Sequence, residues 1–290
     1  MSTKFDRRYT LRCGQRGNDG FEIGTNDGVQ QLHINFSVEK ADVKAANTAK
    51  IQIWNLSETN LSVVEQKDCV IELKAGYGSD QAVVLVGNVT TSTTVMDNAD
   101  RMTEIEVVDG RVELRDTMIS ISLNGQVDSR EVYSTIATSM GLPIIMADEL
   151  QFPVIPDGFY FVGKARACLT KIADYCGHAW TVQNGVLQVT YPGRPLGNVA
   201  HEISSDTGLV DIPKKITISS AEGQESLSGY EITYLMDASI GVNDIVFVRS
   251  RNVTGYFRVH KVTMDGDNME GDWICTAEVM QIAQLPKQGG

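Results

Sequence analysis

The sequence has no apolar run of about eighteen residues, so it offers no segment that crosses a membrane as a helix. Its N-terminus, MSTKFDRRYTLRCG, carries charges where a secretory signal needs an apolar segment. Cysteine is sparse and odd in number: Cys13, Cys69, Cys168, Cys176 and Cys275 are scattered over 290 residues. That excludes a disulfide framework and reads as reduced thiols in a bacterial cytosol at the time of folding. Without a secretory signal, the N-x-S/T sequons at Asn35, Asn55, Asn60, Asn88 and Asn252 read as polar turn and strand residues. Positive charge is also short, with 25 Lys and Arg against 37 Asp and Glu, a net −12. This balance argues against a protein that grips phosphates by counterion release.

Chemistry-bearing patterns are missing too. The glycine cluster Gly14-Gln15-Arg16-Gly17-Asn18-Asp19-Gly20 lacks the Gly-Lys-Ser/Thr of a phosphate loop, and a turn is the better reading. There is no G-x-S-x-G elbow and no H-E-x-x-H. Cys168, Cys176 and His178 do not have zinc-ligand spacing, and Cys176 fits an apolar helix stripe. The acidic stretch 265–272 fails the EF-hand pattern at Met269 and Glu270, so it reads as a polar hairpin tip. His33, His178, His201 and His260 are too scattered to nominate a general base. Asp109, Glu113 and Asp116 beside Arg111 and Arg115 read as a solvated, salt-bridged segment. The expectation is a protein that is not an enzyme, with no catalytic residue, cofactor or metal.

What is present is ordinary globular material, 42% hydrophobic and 21% charged, enough for a packed core. The first third alternates apolar and polar with period two at 32–38, 49–56, 70–73, 83–89 and 103–108, the signature of half-buried strands. In 49–56, Ile51, Ile53 and Asn55 share one face, and Lys50, Gln52, Trp54 and Leu56 the other. The middle changes period. Asp128 or Ser129 caps a helix with Val132, Ile136 and Met140 on one face, stopped by Gly141 and Pro143. A second helix, 165–176, carries Leu169, Ile172, Ala173 and Cys176 and stops at Gly177. Asn184-Gly185 between two alternating runs then predicts a tight hairpin. The last third is β again, at 215–219, 229–235, 244–248, 256–263 and 273–280.

The first and last thirds share a plan: strand, insert, acid-capped strand, strand, long hairpin, strand. This reads as two copies of one small β unit. The expected architecture is mainly β: a first barrel over 1–112, a helix–helix–hairpin module over 113–195, and a second barrel over 196–290.

The phrase Ile51-Gln52-Ile53-Trp54-Asn55-Leu56-Ser57, the later Ala75-Gly76-Tyr77, and Leu85-Val86-Gly87-Asn88-Val89 resemble the opening barrel of phage tail baseplate hub proteins. The middle, with Trp180-Thr181-Val182-Gln183-Asn184-Gly185, and the ending, with Gly255-Tyr256-Phe257-Arg258-Val259 and Gly271-Asp272-Trp273, resemble the same proteins in the same order. The resemblance implies two barrels like those of tail tube proteins, and a homotrimer whose six barrels adapt a sixfold tube to a threefold spike. It implies the tail tube protein, a separate spike protein, the tape measure protein and baseplate wedge proteins as partners. DNA would pass the acidic bore without specific binding. The site would be the tail baseplate of a virion, after synthesis in the bacterial host cytoplasm. A sixfold distal tail or tube-terminator ring is the nearest alternative. A cell-wall-binding or hydrolytic β module, stacking sugars on Trp54, Trp180 and Trp273, is the other.

The insert after Trp54, 57–67, is polar apart from Leu61, Val63 and Val64. Ser57 caps a short helical turn there. Trp54, Leu61, Val63 and Val64 are the candidate contacts between neighbouring barrels.

Overall fold

The computed structural model describes residues 6–15, 20–25, 30–43, 46–110, 117–218 and 227–282. Residues 16–19 of the glycine cluster, Arg111, Glu113, Arg115, Asp116 and the 112/113 boundary lie outside them. The first third forms β1 (Arg7–Gly14), β2 (Phe21–Gly24), β3 (Ile34–Ala41), β4 (Thr48–Trp54), helix α1 (Glu58–Val64), β5 (Val70–Tyr77), β6 (Asp80–Asp97) and β7 (Asp100–Val108). The middle forms β8 (Met118–Leu123), β9 (Val127–Asp128), α2 (Ser129–Met140), β10 (Ile144–Met146), β11 (Val154–Ile155), β12 (Phe159–Lys164), α3 (Ala165–Cys176), β13 (Ala179–Gln183) and β14 (Val186–Thr190). The last third forms β15 (Ala200–Ser204), β16 (Lys214–Ile218), β17 (Leu227–Leu235), β18 (Ile245–Arg249), β19 (Thr254–Asp267) and β20 (Trp273–Gln281). No helix among the described residues is long and apolar enough to cross a membrane.

The mainly β class is as expected. The strands of the first and last thirds make one 13-stranded sheet in the order β16-β17-β20-β19-β3-β4-β7-β6-β5-β1-β2, with β15 beside β18 and β18 beside β19. The repeat is written in this order: β3-β4-β7-β6-β5 in the first half matches β16-β17-β20-β19-β18 in the second. It extends to a bulge. β6 slips against β7 between Val89 and Thr91, and β19 slips against β20 between Val259 and Lys261. An extra residue at the same place bends both long strands the same way.

Two closed barrels were expected, but among the described residues neither half is ringed by its own hydrogen bonds. Instead β3 of the first half pairs antiparallel with β19 of the second, Lys261 opposite Ala41 through Asp267 opposite Asn35. Burial follows the join. One core cluster runs through both halves, from Tyr9, Phe36, Ile51 and Leu85 to Val246, Val259, Met264 and Trp273. Phe36 and Trp273 meet edge to face across it, ring centroids 5.6 Å apart.

The middle unit has its own core of Val132, Tyr133, Ile136, Leu169, Ile172, Trp180 and Leu187. Asp128 caps α2 by accepting from the Arg130 amide at 2.8 Å, and left-handed Gly141 and Gly177 end the two helices. Asn184 and Gly185 have φ of 52° and 72°, the two positive values that a type I′ turn requires.

Candidate assembly surface

One end of the sheet is a rim where two hairpin tips meet. Trp54 closes β4 there. Its indole Nε1 donates to Asp97 at 2.9 Å, and its ring stacks on His33 with centroids 4.0 Å apart. His33 Nε2 lies 3.1 Å from the Asp267 carboxylate on the β19–β20 tip. Trp54 and His33 therefore link a first-half tip to its second-half counterpart. Asn55 takes a left-handed turn, φ 58°, and donates to Asp100 at 2.9 Å. That turn corrects the expected alternation: Leu56 swings into the core instead of sharing the outer face with Trp54. Arg101 reaches the Leu56 carbonyl at 3.1 Å and pairs with Glu58 at the start of α1. Ser57 caps α1 as expected, accepting from the Asn60 amide at 3.2 Å.

The four candidate contact residues separate. Trp54 is half-buried, and Leu61 and Val63 are partly buried against the core. Val64 is 1% exposed and belongs to the core, so it has no surface to offer a neighbour. A single short helix over a sheet must bury one face, and Val64 occupies it. Val64→Asp should therefore cost about 3–5 kcal/mol of folding stability, as an unpaired buried charge does. Leu61→Asp, on the half-open face, should cost roughly 1 kcal/mol. Urea unfolding of both variants checks this, and equal losses would contradict the placement. Beside the end of α1 a groove of about 490 Å³ runs between Glu65–Asp68 and the β6 residues Asn88, Val89, Thr90, Thr91 and Ser92.

The middle unit is fastened to the first half by a buried polar joint. Asp109 is 0% exposed, which corrects the expectation of a solvated carboxylate. Its carboxylate accepts from the amides of Asn184 at 2.6 Å and Gly185 at 3.0 Å, and from Asn47 Nδ2 at 3.2 Å. Lys40 Nζ donates to Asn184 Oδ1 at 2.7 Å, and Gln183 Nε2 donates to the Ala41 carbonyl at 3.1 Å. Burial raises the Asp109 pKa, opposed by these donors, and burial lowers that of Lys40 to about 8, opposed by Asp109. The last-third side is tied by Asn243, which donates to Gln188 at 3.3 Å and accepts from Arg258 at 2.7 Å. Sequence reasoning found the Asn184-Gly185 turn but not its socket. The only local signal was an acidic residue ending a strand.

His178 and Asp267, both weighed for chemistry, have structural partners. His178 sits between the Tyr133 hydroxyl at 3.2 Å and the Gln151 carbonyl at 3.1 Å, and burial lowers its pKa. Cys168 is in the middle core. The Asp267 carboxylate accepts from the Met269 and Glu270 amides, both at 2.9 Å. Burial pushes the Asp267 pKa up, but the amides, His33 and Asn35 outweigh it and hold it below the usual carboxylate range. Among the described residues no group of three or more His, Cys, Asp or Glu could hold a metal ion.

No protein-family model and no curated protein sequence matches this chain. Known structures do. The 43 kDa tail protein of prophage MuSo2 from Shewanella oneidensis superposes with a TM-score of 0.63 at 9% identity, over 96% of this chain and 98% of that one. The fold is that of phage tail proteins. A tail protein from Neisseria meningitidis MC58 superposes with a TM-score of 0.59 at 11% identity, over 96% of this chain and 97% of that one. The E. coli c3393 protein, a type VI secretion component with structural similarity to the T4 tail proteins gp27 and gp5, gives 0.58 at 8% identity, over 89% of this chain and 76% of that one. The tail-protein fold thus spans both halves and the middle unit, at an identity too low to transfer individual residues.

Proposed function

We propose that this chain is a structural component of a phage tail baseplate, acting as a trimeric hub between a sixfold tube and a threefold spike. The observation that carries this reading is the duplicated strand order within one chain. Three copies of a doubled unit present six near-equivalent surfaces to a sixfold partner while keeping threefold symmetry for the other. The tail-protein fold supports it. The mechanism is geometric, and no residue is assigned a chemical step. Its partners on this reading are two further copies of itself, the tube protein and a spike protein, with tape measure and wedge proteins at its periphery. The net charge of −12 suits a bore that lets DNA pass without holding it. Native mass spectrometry with tube and spike partners present should show three chains per particle. Six chains would favour a tube-terminator ring, and a monomer would overturn the hub.

A further inference from the structure

Two of the five cysteines stand together. Cys13 lies on the inward row of β1, and Cys69 is the residue just before β5. Their sulfurs are 3.1 Å apart, and the residues are 3% and 0% exposed. The sheet puts them there. β1 and β5 pair antiparallel from Arg7 opposite Tyr77 to Gly14 opposite Val70. Cys13 therefore faces Ile71, and Cys69 sits two positions before Ile71 on the same face, so the two side chains meet on the diagonal. The other three cysteines lie apart. Cys168 and Cys176 are eight positions from each other on α3, about 12 Å along its axis. Cys275 packs against the Met236 thioether at 3.7 Å.

We infer that Cys13 and Cys69 form a disulfide within the folded chain when it meets a peroxide, while the other three cysteines stay as thiols. The geometry is close to that of the bond. An S–S bond is about 2.05 Å long, so the sulfurs need to approach by about 1 Å. The approach falls beyond the last rung of the β1–β5 ladder, next to Asp68, whose φ of 57° breaks the extended backbone. The two segments are already clasped there, since Gln15 Nε2 donates to the Lys67 carbonyl at 2.7 Å.

The pair is asymmetric. The Cys13 thiol donates to the Cys69 sulfur, which lowers the Cys69 pKa against the effect of burial. The same hydrogen bond, with burial, raises that of Cys13. Cys69 is thus the attacking sulfur, and Cys13 the one that resolves the intermediate. The Cys69 sulfur attacks one peroxide oxygen, an S–O bond forms as the O–O bond breaks, and hydroxide leaves with the Cys69 proton as water. The Cys13 sulfur then attacks the Cys69 sulfenic acid. An S–S bond forms, the S–O bond breaks, and the departing hydroxide takes the Cys13 proton. Two thiols lose two electrons, and one peroxide becomes two waters.

The bond closes a loop of 56 residues that holds β2, β3, β4 and α1. It fixes β1 to the connection leaving α1 and restricts the unfolded chain. On the baseplate reading the chain folds among cytosolic reductants and works outside them, which sets when the bond forms. The bond itself rests on the sheet geometry, so its failure leaves that reading intact.

The test treats the purified full chain with hydrogen peroxide and then unfolds it in excess N-ethylmaleimide. Cys168, Cys176 and Cys275 should take the label, and Cys13 and Cys69 should not. Trypsin should release peptide 13–16 joined to peptide 68–74, and dithiothreitol should separate them. The urea midpoint should rise on oxidation and return on reduction. In Cys69→Ala, peroxide should leave the midpoint unchanged and Cys13 open to label. Label on both Cys13 and Cys69 after treatment of the wild-type chain would overturn the pair. So would a bond from either to another cysteine, or sulfinic acid at Cys69 without the joined peptide.

Discussion

Asp109→Ala should cost about 3–5 kcal/mol, the largest loss expected from one polar side chain here. The substitution strands three groups at once. The Asn184 and Gly185 amides lose their acceptor, and the Lys40 ammonium is left buried with one neutral partner, Asn184 Oδ1. Asp109→Asn should cost less, roughly 1–3 kcal/mol, because one amide oxygen can still serve one of the two backbone donors. Adding Lys40→Met to Asp109→Ala should recover part of the loss, since the stranded charge goes with it. Hydrogen exchange should show faster exchange at the Asn184-Gly185 turn in Asp109→Ala, with the α2–α3 core still protected. Urea midpoints give the totals, and a loss below about 1 kcal/mol would refute the joint. The pH dependence has a definite sign. Lys40 falls from 10.5 to about 8 on folding, so the unfolded chain binds more protons between those values. The stability linked to Lys40 is full above the upper value and lost as pH falls through the lower one. Wild type should therefore gain on Lys40→Met as pH rises from about 8 to about 10.5.

Gly266→Val should break the junction between the halves. A Cβ at Gly266 would stand 2.3 Å from Cζ of Phe36, which faces it across the β3–β19 ladder. Phe36 is 1% exposed and held edge-on by Trp273, so it has little room to move. Even Gly266→Ala should cost about 1–3 kcal/mol by overpacking, and Val more. Phe36→Leu combined with Gly266→Ala should cost less than the sum of the single changes, a coupling that urea midpoints measure directly. The matching first-half position, Met96, is 67% exposed, on a strand edge with no partner strand among the described residues. Met96→Gly should leave folding almost unchanged, so the repeat gives an internal control. Additive losses for Gly266 and Phe36 would show that the halves are not joined there.

Much of this protein was written locally. Period-two alternation identified most strands of both halves, because a sheet with one buried face sorts its side chains by parity. Ser57, Asp128, Gly141, Gly177 and Asn184-Gly185 marked the caps and the turn, since each satisfies or frees its own stretch of backbone. The β1 strand carries a weaker signal although Tyr9, Leu11 and Cys13 point inward, because Thr10 between them is buried as well and charged Arg8 and Arg12 flank them. The repeat was visible as an order of elements, and the tail-protein fold bears out the likeness to hub proteins at the level of architecture.

The tertiary structure decided which edges meet. Pairing of β3 with β19 uses backbone N–H and C=O groups that every residue but proline carries, so no side chain announces it. It also turned Val64 inward, buried Asp109 beneath a hairpin 75 residues further along the chain, and set Gly266 against Phe36. The sequence by itself determined the strands, their inward faces and their duplication. Only the folded chain decided that the two halves share a sheet, because which edges meet is defined by what lies side by side in space.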